Sequence, residues 1–281
     1  LRLFASFRNL KACFEQEKLY QLFNILLAKR STSKEALECV LAFRRTEIKP
    51  YNEFLRRLSD EENRREEMAS FSLAFEQVTP EDEDEKRARR LEPNHRSVVV
   101  PLVINIVYGL LSHRKKKGKG VRGSSATVNR NALVTFLSSL RPNEIEIFLR
   151  RLTRVFDVDP LTCSSDEMLP DLTQIQQFRN VQSNNDNRIV NTIKRIENFE
   201  ITVTRMVAFL TTCISSVQSL SRVIVTKLYI LLEPVIAILN IVEKKEKNHL
   251  SNEDRSRLRQ LCFKLLAEIW ERYPDVPWKM F

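Results

Sequence analysis

Apolar positions recur at helical spacing from one end of the chain to the other. Ile48, Tyr51, Phe54, Leu55 and Leu58 form one stripe, with Pro50 in its first turn. Ile145, Phe148, Leu149, Leu152 and Phe156 follow the i, i+3, i+4, i+7, i+11 pattern, and Pro142 stands where an N1 proline opens a helix. Leu258, Leu261, Cys262, Leu265, Leu266 and Ile269 make a wider stripe behind a cap at Ser251 or Asn252. The same pattern predicts helices over Leu3 to Ala28 with one break, Lys34 to Phe43, Glu61 to Phe75 and Ala126 to Leu140. Two long helices are expected within Asn187 to Val242. No stripe is paired with an alternating strand, so the predicted fold class is all-α. Each helix has one apolar face to bury against a neighbour. Successive pairs of about 40 residues suit a HEAT/armadillo-like α-solenoid of stacked helix pairs. No repeat consensus is visible, and a compact irregular bundle stays open beside it.

Polar stretches punctuate this array. Residues 78–94 form a charged loop in which Glu81 to Glu85 precedes Lys86, Arg87, Arg89 and Arg90. Residues 112–125 form a basic Gly/Ser loop, and Asp157 to Asp171 is a polar joint. The apolar runs Val98 to Leu111 and Leu228 to Val242 fall short of the about 20 residues a bilayer requires and read as buried helices, with no membrane partner.

Composition sharpens the helical reading. Of 281 residues only four are glycine, about a fifth of the usual share. Strand turns, phosphate loops and nucleophile elbows consume glycine because it accepts positive φ cheaply, so their scarcity argues against most α/β active sites. A hydrophobic content of 43% with 29% charged residues excludes a wholly disordered chain. The five cysteines, Cys13, Cys39, Cys163, Cys213 and Cys262, are scattered and read as small buried hydrophobes of a reducing compartment. The chain opens at Leu1 inside an amphipathic pattern and ends at Phe281, which suggests an internal piece of a longer protein, helical-repeat over all of 1–281.

Candidate chemistry is sparse. Gly118-Lys-Gly120-Val-Arg-Gly123 matches G-x-G-x-x-G, and Glu144 lies at the distance of a ribose-binding acid. That fingerprint works only between a strand and a helix, and here lysines precede it, so it reads as accidental. His95, His113 and His249 lack i+4 partners, which leaves no zinc spacing. Glu61-Glu62 and Glu66-Glu67 sit among arginines at the spacing of i, i+4 ion pairs. No enzyme, cofactor, metal site or small-molecule substrate is expected.

Charge is more informative. From Asn94 to Asn143 there is no Asp or Glu, while Arg96, Arg114, Lys115, Lys116, Lys117, Lys119, Arg122, Arg130 and Arg141 are basic. The chain as a whole carries a net charge of +10, so most of the excess is concentrated here. Arg114, Lys115, Lys116, Lys117, Lys119, Arg122 and Arg130 are the candidate RNA-binding residues: cations without local acids attract phosphates and release counterions on binding. No aromatic residue interleaves the Arg114 to Arg122 loop, so base stacking is not indicated. A solvated loop and a nuclear import signal are the other two readings of it.

Val-Pro101-Leu-Val-Ile-Asn-Ile-Val-Tyr108-Gly109, the basic loop, Ala132-Leu-Val-Thr-Phe-Leu137 and Arg141-Pro142-Asn-Glu144-Ile145-Glu-Ile147-Phe148-Leu149 follow one another in a familiar order. Together with Glu35-Ala-Leu-Glu-Cys-Val, Lys49-Pro-Tyr51 and Phe54-Leu-x-x-Leu58, this resembles the giant helical-repeat component of the small-subunit processome, the "down-regulated in metastasis" family. The specific part covers about Glu35 to Leu152 and fades after Leu172. The resemblance implies a nucleolar, non-catalytic scaffold of HEAT-like repeats in a large hetero-assembly with pre-ribosomal RNA and processome proteins. The alternative is a protein-only helical-repeat adapter, transport-receptor-like, without direct RNA contact.

Overall fold

The computed structural model describes residues 1–7, 10–29, 31–74, 89–111, 124–154, 156, 193–194, 196, 201–220, 227, 229–244 and 250–274. Their architecture is all-α apart from one pair of two-residue strands. Contacts divide the chain into two units, Leu1–Phe148 and Leu149–Phe281, the division falling inside one helix.

The first unit contains α1 (Arg2–Ala5), α2 (Gln16–Leu27), α3 (Ser33–Ala42), α4 (Asn52–Ser59), α5 (Arg64–Ser70), α6 (Arg96–Leu111), α7 (Ser124–Leu137) and the start of α8 (Pro142–Thr153). Neighbours in sequence pack in order, α2 on α3, α3 on α4, α4 on α5 and α6 on α7. Helix α6 also returns against both α2 and α4, so it is shared core rather than one rung among equals. Its apolar residues explain that place, since Val99, Val103, Ile106 and Val107 are all sealed from solvent. Aromatic rings continue the core on either side. Phe23 lies between Phe4 and Phe43, at centroid distances of 5.6 and 6.2 Å, and Phe54 stacks on Phe71 at 3.7 Å.

That last contact explains a departure from the predicted elements. The helix expected over Glu61 to Phe75 ends at Ser70, and Phe71 turns extended with φ −115° and ψ 125°. Extension lays its ring on Phe54 and lets β1 (Phe71–Ser72) pair in parallel with β2 (Arg89–Arg90), Phe71 opposite Arg89. Burial of a stacked ring outweighs the modest helical preference of a single residue. Of the charged 78–94 loop, the described part runs from Arg89 onward and includes β2. Glu81 to Arg87, the Asp157 to Asp171 joint, Cys163, His113 and His249 lie outside the described residues.

A short 3-10 turn at Pro93–His95 runs directly into α6. The resulting run, Pro93–Leu111, has 19 residues and is long and apolar enough to cross a membrane by length and composition, which the shorter run read from sequence was not. The run is 56% buried inside the protein. Its first α-helical residue, Arg96, is a buried, ion-paired cation. Both features belong to a core helix.

The second unit contains α9 (Val203–Ser219), α10 (Tyr229–Glu243) and α11 (Asn252–Arg272), with α11 packed against both α9 and α10. Ser251 is the N-cap of α11, its hydroxyl accepting the Asp254 amide at 3.1 Å. Leu258, Cys262, Leu265 and Ile269 are the buried stripe of that helix. On α9, the hydroxyls of Thr211, Thr212, Ser215 and Ser216 donate to carbonyls one turn earlier, which allows polar residues to sit in a packed face.

Candidate nucleic-acid interface

The candidate RNA-binding loop is held at its two ends by the first unit. Arg114, Lys115, Lys116, Lys117, Lys119 and Arg122 lie outside the described residues, as do Gly118, Gly120 and Gly123; Arg130 is half-buried on α7. The described ends, Leu111 of α6 and Ser124 of α7, belong to helices packed on each other, so the segment 112–123 leaves and re-enters the same helix pair.

The outgoing end is set by Gly109. A Cβ there would sit 2.9 Å from the Leu27 carbonyl oxygen and 3.1 Å from that of Ala28, both backbone atoms at the end of α2. The Tyr108-Gly109 pair that sequence reasoning used as a family mark thus has a steric reason: only glycine lets α6 approach the last turn of α2 this closely. The returning end is tied by Arg65 of α5, whose guanidinium donates to the Asn129 side-chain oxygen next to Arg130. Arg65 is exposed and was not among the sequence candidates. Its position more than sixty residues upstream of Arg130 gave no local signal, and only packing brings it to α7.

One member of the acid-free basic stretch is removed from it. Arg96 is 3% exposed, and its Nε and Nη2 donate to the two carboxylate oxygens of Glu144 at 2.8 and 2.6 Å. Its Nη1 donates to the Leu73 carbonyl at 2.9 Å. Glu144 also accepts the Arg141 amide at 2.8 Å, so it caps the start of α8 while neutralising Arg96. The acid at a ribose-binding distance from the glycine loop is therefore a structural clamp, committed on both oxygens.

The other candidate groups are structural as well. His95 is half-buried rather than exposed: its Nδ1 lies 3.1 Å from the Tyr51 hydroxyl, which accepts the Glu92 amide at 3.0 Å. Glu66 and Glu67 each lie 3.1 Å from Arg57 of α4, so these ion pairs join α4 to α5. Arg45 stacks 3.8 Å from the Tyr20 ring centroid and pairs with Glu17 at 2.5 Å beside a cleft of about 330 Å³. Burial raises the Cys39 and Cys213 thiols above their ordinary range and pushes Cys262 up to about 12. Among the described residues no group of three or more His, Cys, Asp or Glu side chains is arranged to hold a metal.

The described residues thus supply a packed helix pair, α6 and α7, on either side of the lysine-rich segment 112–123, and a buried ion pair between Arg96 and Glu144. The family model of U3 small nucleolar RNA-associated protein 20, N-terminal, matches residues 1–281. The match also takes in the part beyond Leu172, where the motifs fade to a helical pattern. With its whole length matched, the chain belongs to that family, the small-subunit processome family its Pro101 to Leu149 motifs resemble.

Proposed function

We propose that the chain is a non-catalytic scaffold segment acting in the nucleolus, in pre-rRNA processing and assembly of the small ribosomal subunit. Its helix pairs form a stretch of HEAT/armadillo-like solenoid. Arg114, Lys115, Lys116, Lys117, Lys119 and Arg122, with Arg130, contact RNA backbone. Family membership supports the processome role. The observation that carries the RNA contact is the acid-free, lysine-rich segment 112–123, whose flanking residues Leu111 and Ser124 belong to the packed helices α6 and α7. A tethered cationic loop searches a small volume and neutralises phosphates without reading sequence, which suits a scaffold that holds RNA rather than selects it.

The test is crosslinking of the full-length protein to RNA in cells, with sequencing of the attached RNA. Crosslinks on pre-ribosomal RNA are expected, reduced when the six loop cations from Arg114 to Arg122 are replaced by Gln. An unchanged crosslink pattern would remove the loop from the RNA role. Background RNA signal in a protein that still sediments in large assemblies would leave the protein-only adapter.

A further inference from the structure

The end of α4 carries two opposite charge patterns around one hydroxyl. Arg56 and Arg57 stand shortly before Ser59, and Asp60, Glu61 and Glu62 follow it directly. Protein kinases choose substrates by such patterns, one class reading arginines ahead of the hydroxyl and another reading carboxylates behind it. In sequence Ser59 satisfies both classes, and the fold separates them. Ahead of Ser59, Leu58 is sealed from solvent and Phe54 and Leu55 are core, so that segment is fixed as packed helix. Its arginines are committed as well. Arg56 donates twice to Glu38 of α3, at 2.8 and 2.7 Å, and Arg57 pairs with Glu66 and Glu67 of α5. Behind Ser59 the helix stops. Ser59 is the last residue of α4, Asp60 is extended at φ −85° and ψ 135°, and Glu61 and Glu62 are both exposed.

We propose that Ser59 is a phosphorylation site of an acid-directed protein kinase, with Glu61 and Glu62 as the residues the kinase reads. Such an enzyme takes its substrate as extended chain, and the end of a helix supplies that by local opening at little cost. The Ser59 hydroxyl is half-buried and donates to the Arg56 carbonyl at 2.8 Å in an exposed hydrogen bond, the one contact it gives up. The two oxygens of Asp60 accept from Lys34 and Asn63, at 3.0 and 2.8 Å, which leaves recognition to the two glutamates. In the transfer a bond forms between Ser59 Oγ and the γ-phosphorus of a nucleoside triphosphate, and the bond from that phosphorus to the β,γ-bridging oxygen breaks. The hydroxyl proton passes to the catalytic base of the kinase, and the nucleoside diphosphate leaves. Arg64, whose Nη2 donates to the Ser59 carbonyl at 3.2 Å, offsets part of the repulsion of the new dianion by Asp60 and by the negative end of α4. The site does not involve the basic loop and stands whether or not that loop binds RNA.

The test treats the purified full-length protein with an acid-directed kinase and, separately, with an arginine-directed one, and maps the phosphate by mass spectrometry. A synthetic peptide of residues 53–65, with no fold around the arginines, is the control. The acid-directed kinase should modify Ser59 in both, and the arginine-directed kinase in the peptide alone. Glu61→Gln with Glu62→Gln should slow modification of the folded protein about tenfold, and Ser59→Ala should abolish it at this position. Both glutamates are exposed, and circular dichroism of the variant should match the parent. The same phosphopeptide is expected from the protein isolated from cells with phosphatases inhibited. Four results overturn the proposal: no phosphate on Ser59 of the folded protein, modification by the arginine-directed kinase as fast in the folded protein as in the peptide, a rate indifferent to loss of the glutamates, or unmodified Ser59 in the protein from cells.

Discussion

Arg96 is the residue on which the basic character and the stability of the first unit meet. Its guanidinium has three donors placed, two on Glu144 and one on Leu73, in a setting that excludes water. Removing one partner of such a pair strands the other charge, so Arg96→Ala should destabilise by about 3–5 kcal/mol in urea denaturation. Arg96→Met with Glu144→Leu should recover most of that, less about 1 kcal/mol for the cap lost at the Arg141 amide. If the double variant is no more stable than the single one, the pair is not acting as a buried charge clamp. The cysteines make a second test at this scale. Cys262, with its thiol pushed up to about 12, stays protonated at pH 8, and Cys39 and Cys213 are also buried and raised. Thiolate is the reacting form, so native alkylation at pH 8 should label half-buried Cys13 ahead of these three, and denaturant should equalise all four. Mass spectrometry of the labelled peptides reads the order.

Among the elements, α6 decides the arrangement of the first unit. It touches α2, α4 and α7, and Gly109 sets how near it comes to α2. Two effects oppose each other in Gly109→Ala. Alanine gains about 1 kcal/mol of helical propensity, and its Cβ meets backbone carbonyls that have no side-chain freedom to yield, at about 1–3 kcal/mol. Backbone contact at 2.9 Å makes the clash prevail. Gly109→Val should be clearly worse, since its branches add to the same contact. Thermal melts of both variants check the order, and Gly109→Ala more stable than the parent would refute the steric account. The stretch from Ile145 to Phe148 shows how much of such an element is readable in sequence. Pro142 opens α8 where the N1 preference puts it, and Ile145 and Phe148 are buried as their spacing requires. The end of α5 shows the converse: Phe71 fits a helical stripe, and its contact with Phe54 draws it into an extended strand.

At the scale of the whole molecule the net +10 is unevenly placed, and the structure redraws its outline. Arg96 drops out of the basic stretch into an ion pair, and Arg65 comes to α7 from elsewhere in the chain. The loop cations from Arg114 to Arg122 remain as the proposed contact with RNA. If all six meet phosphates of single-stranded RNA, their neutralisation should flatten the slope of log K against log salt by about four. Filter binding over a salt series measures it, and an unchanged slope would exclude those contacts. Arg65→Ala gives a finer outcome: its guanidinium is held by Asn129, so a loss of at most one unit of slope is expected.

Periodicity, caps and composition are local properties, and they sufficed for the all-α class, the helix starts at Pro142 and Ser251, the buried stripes, and the order of motifs that leads to the family. A stripe states that a face is buried without stating against what. The pairing of Arg96 with Glu144 spans 48 residues, and that of Arg65 with Asn129 spans 64. Nothing in either neighbourhood encodes those partners, because an ion pair or a close backbone approach depends on where two distant helices are brought by burial of their other faces. The tertiary structure therefore decided which charges are spent inside the fold and why Gly109 is glycine.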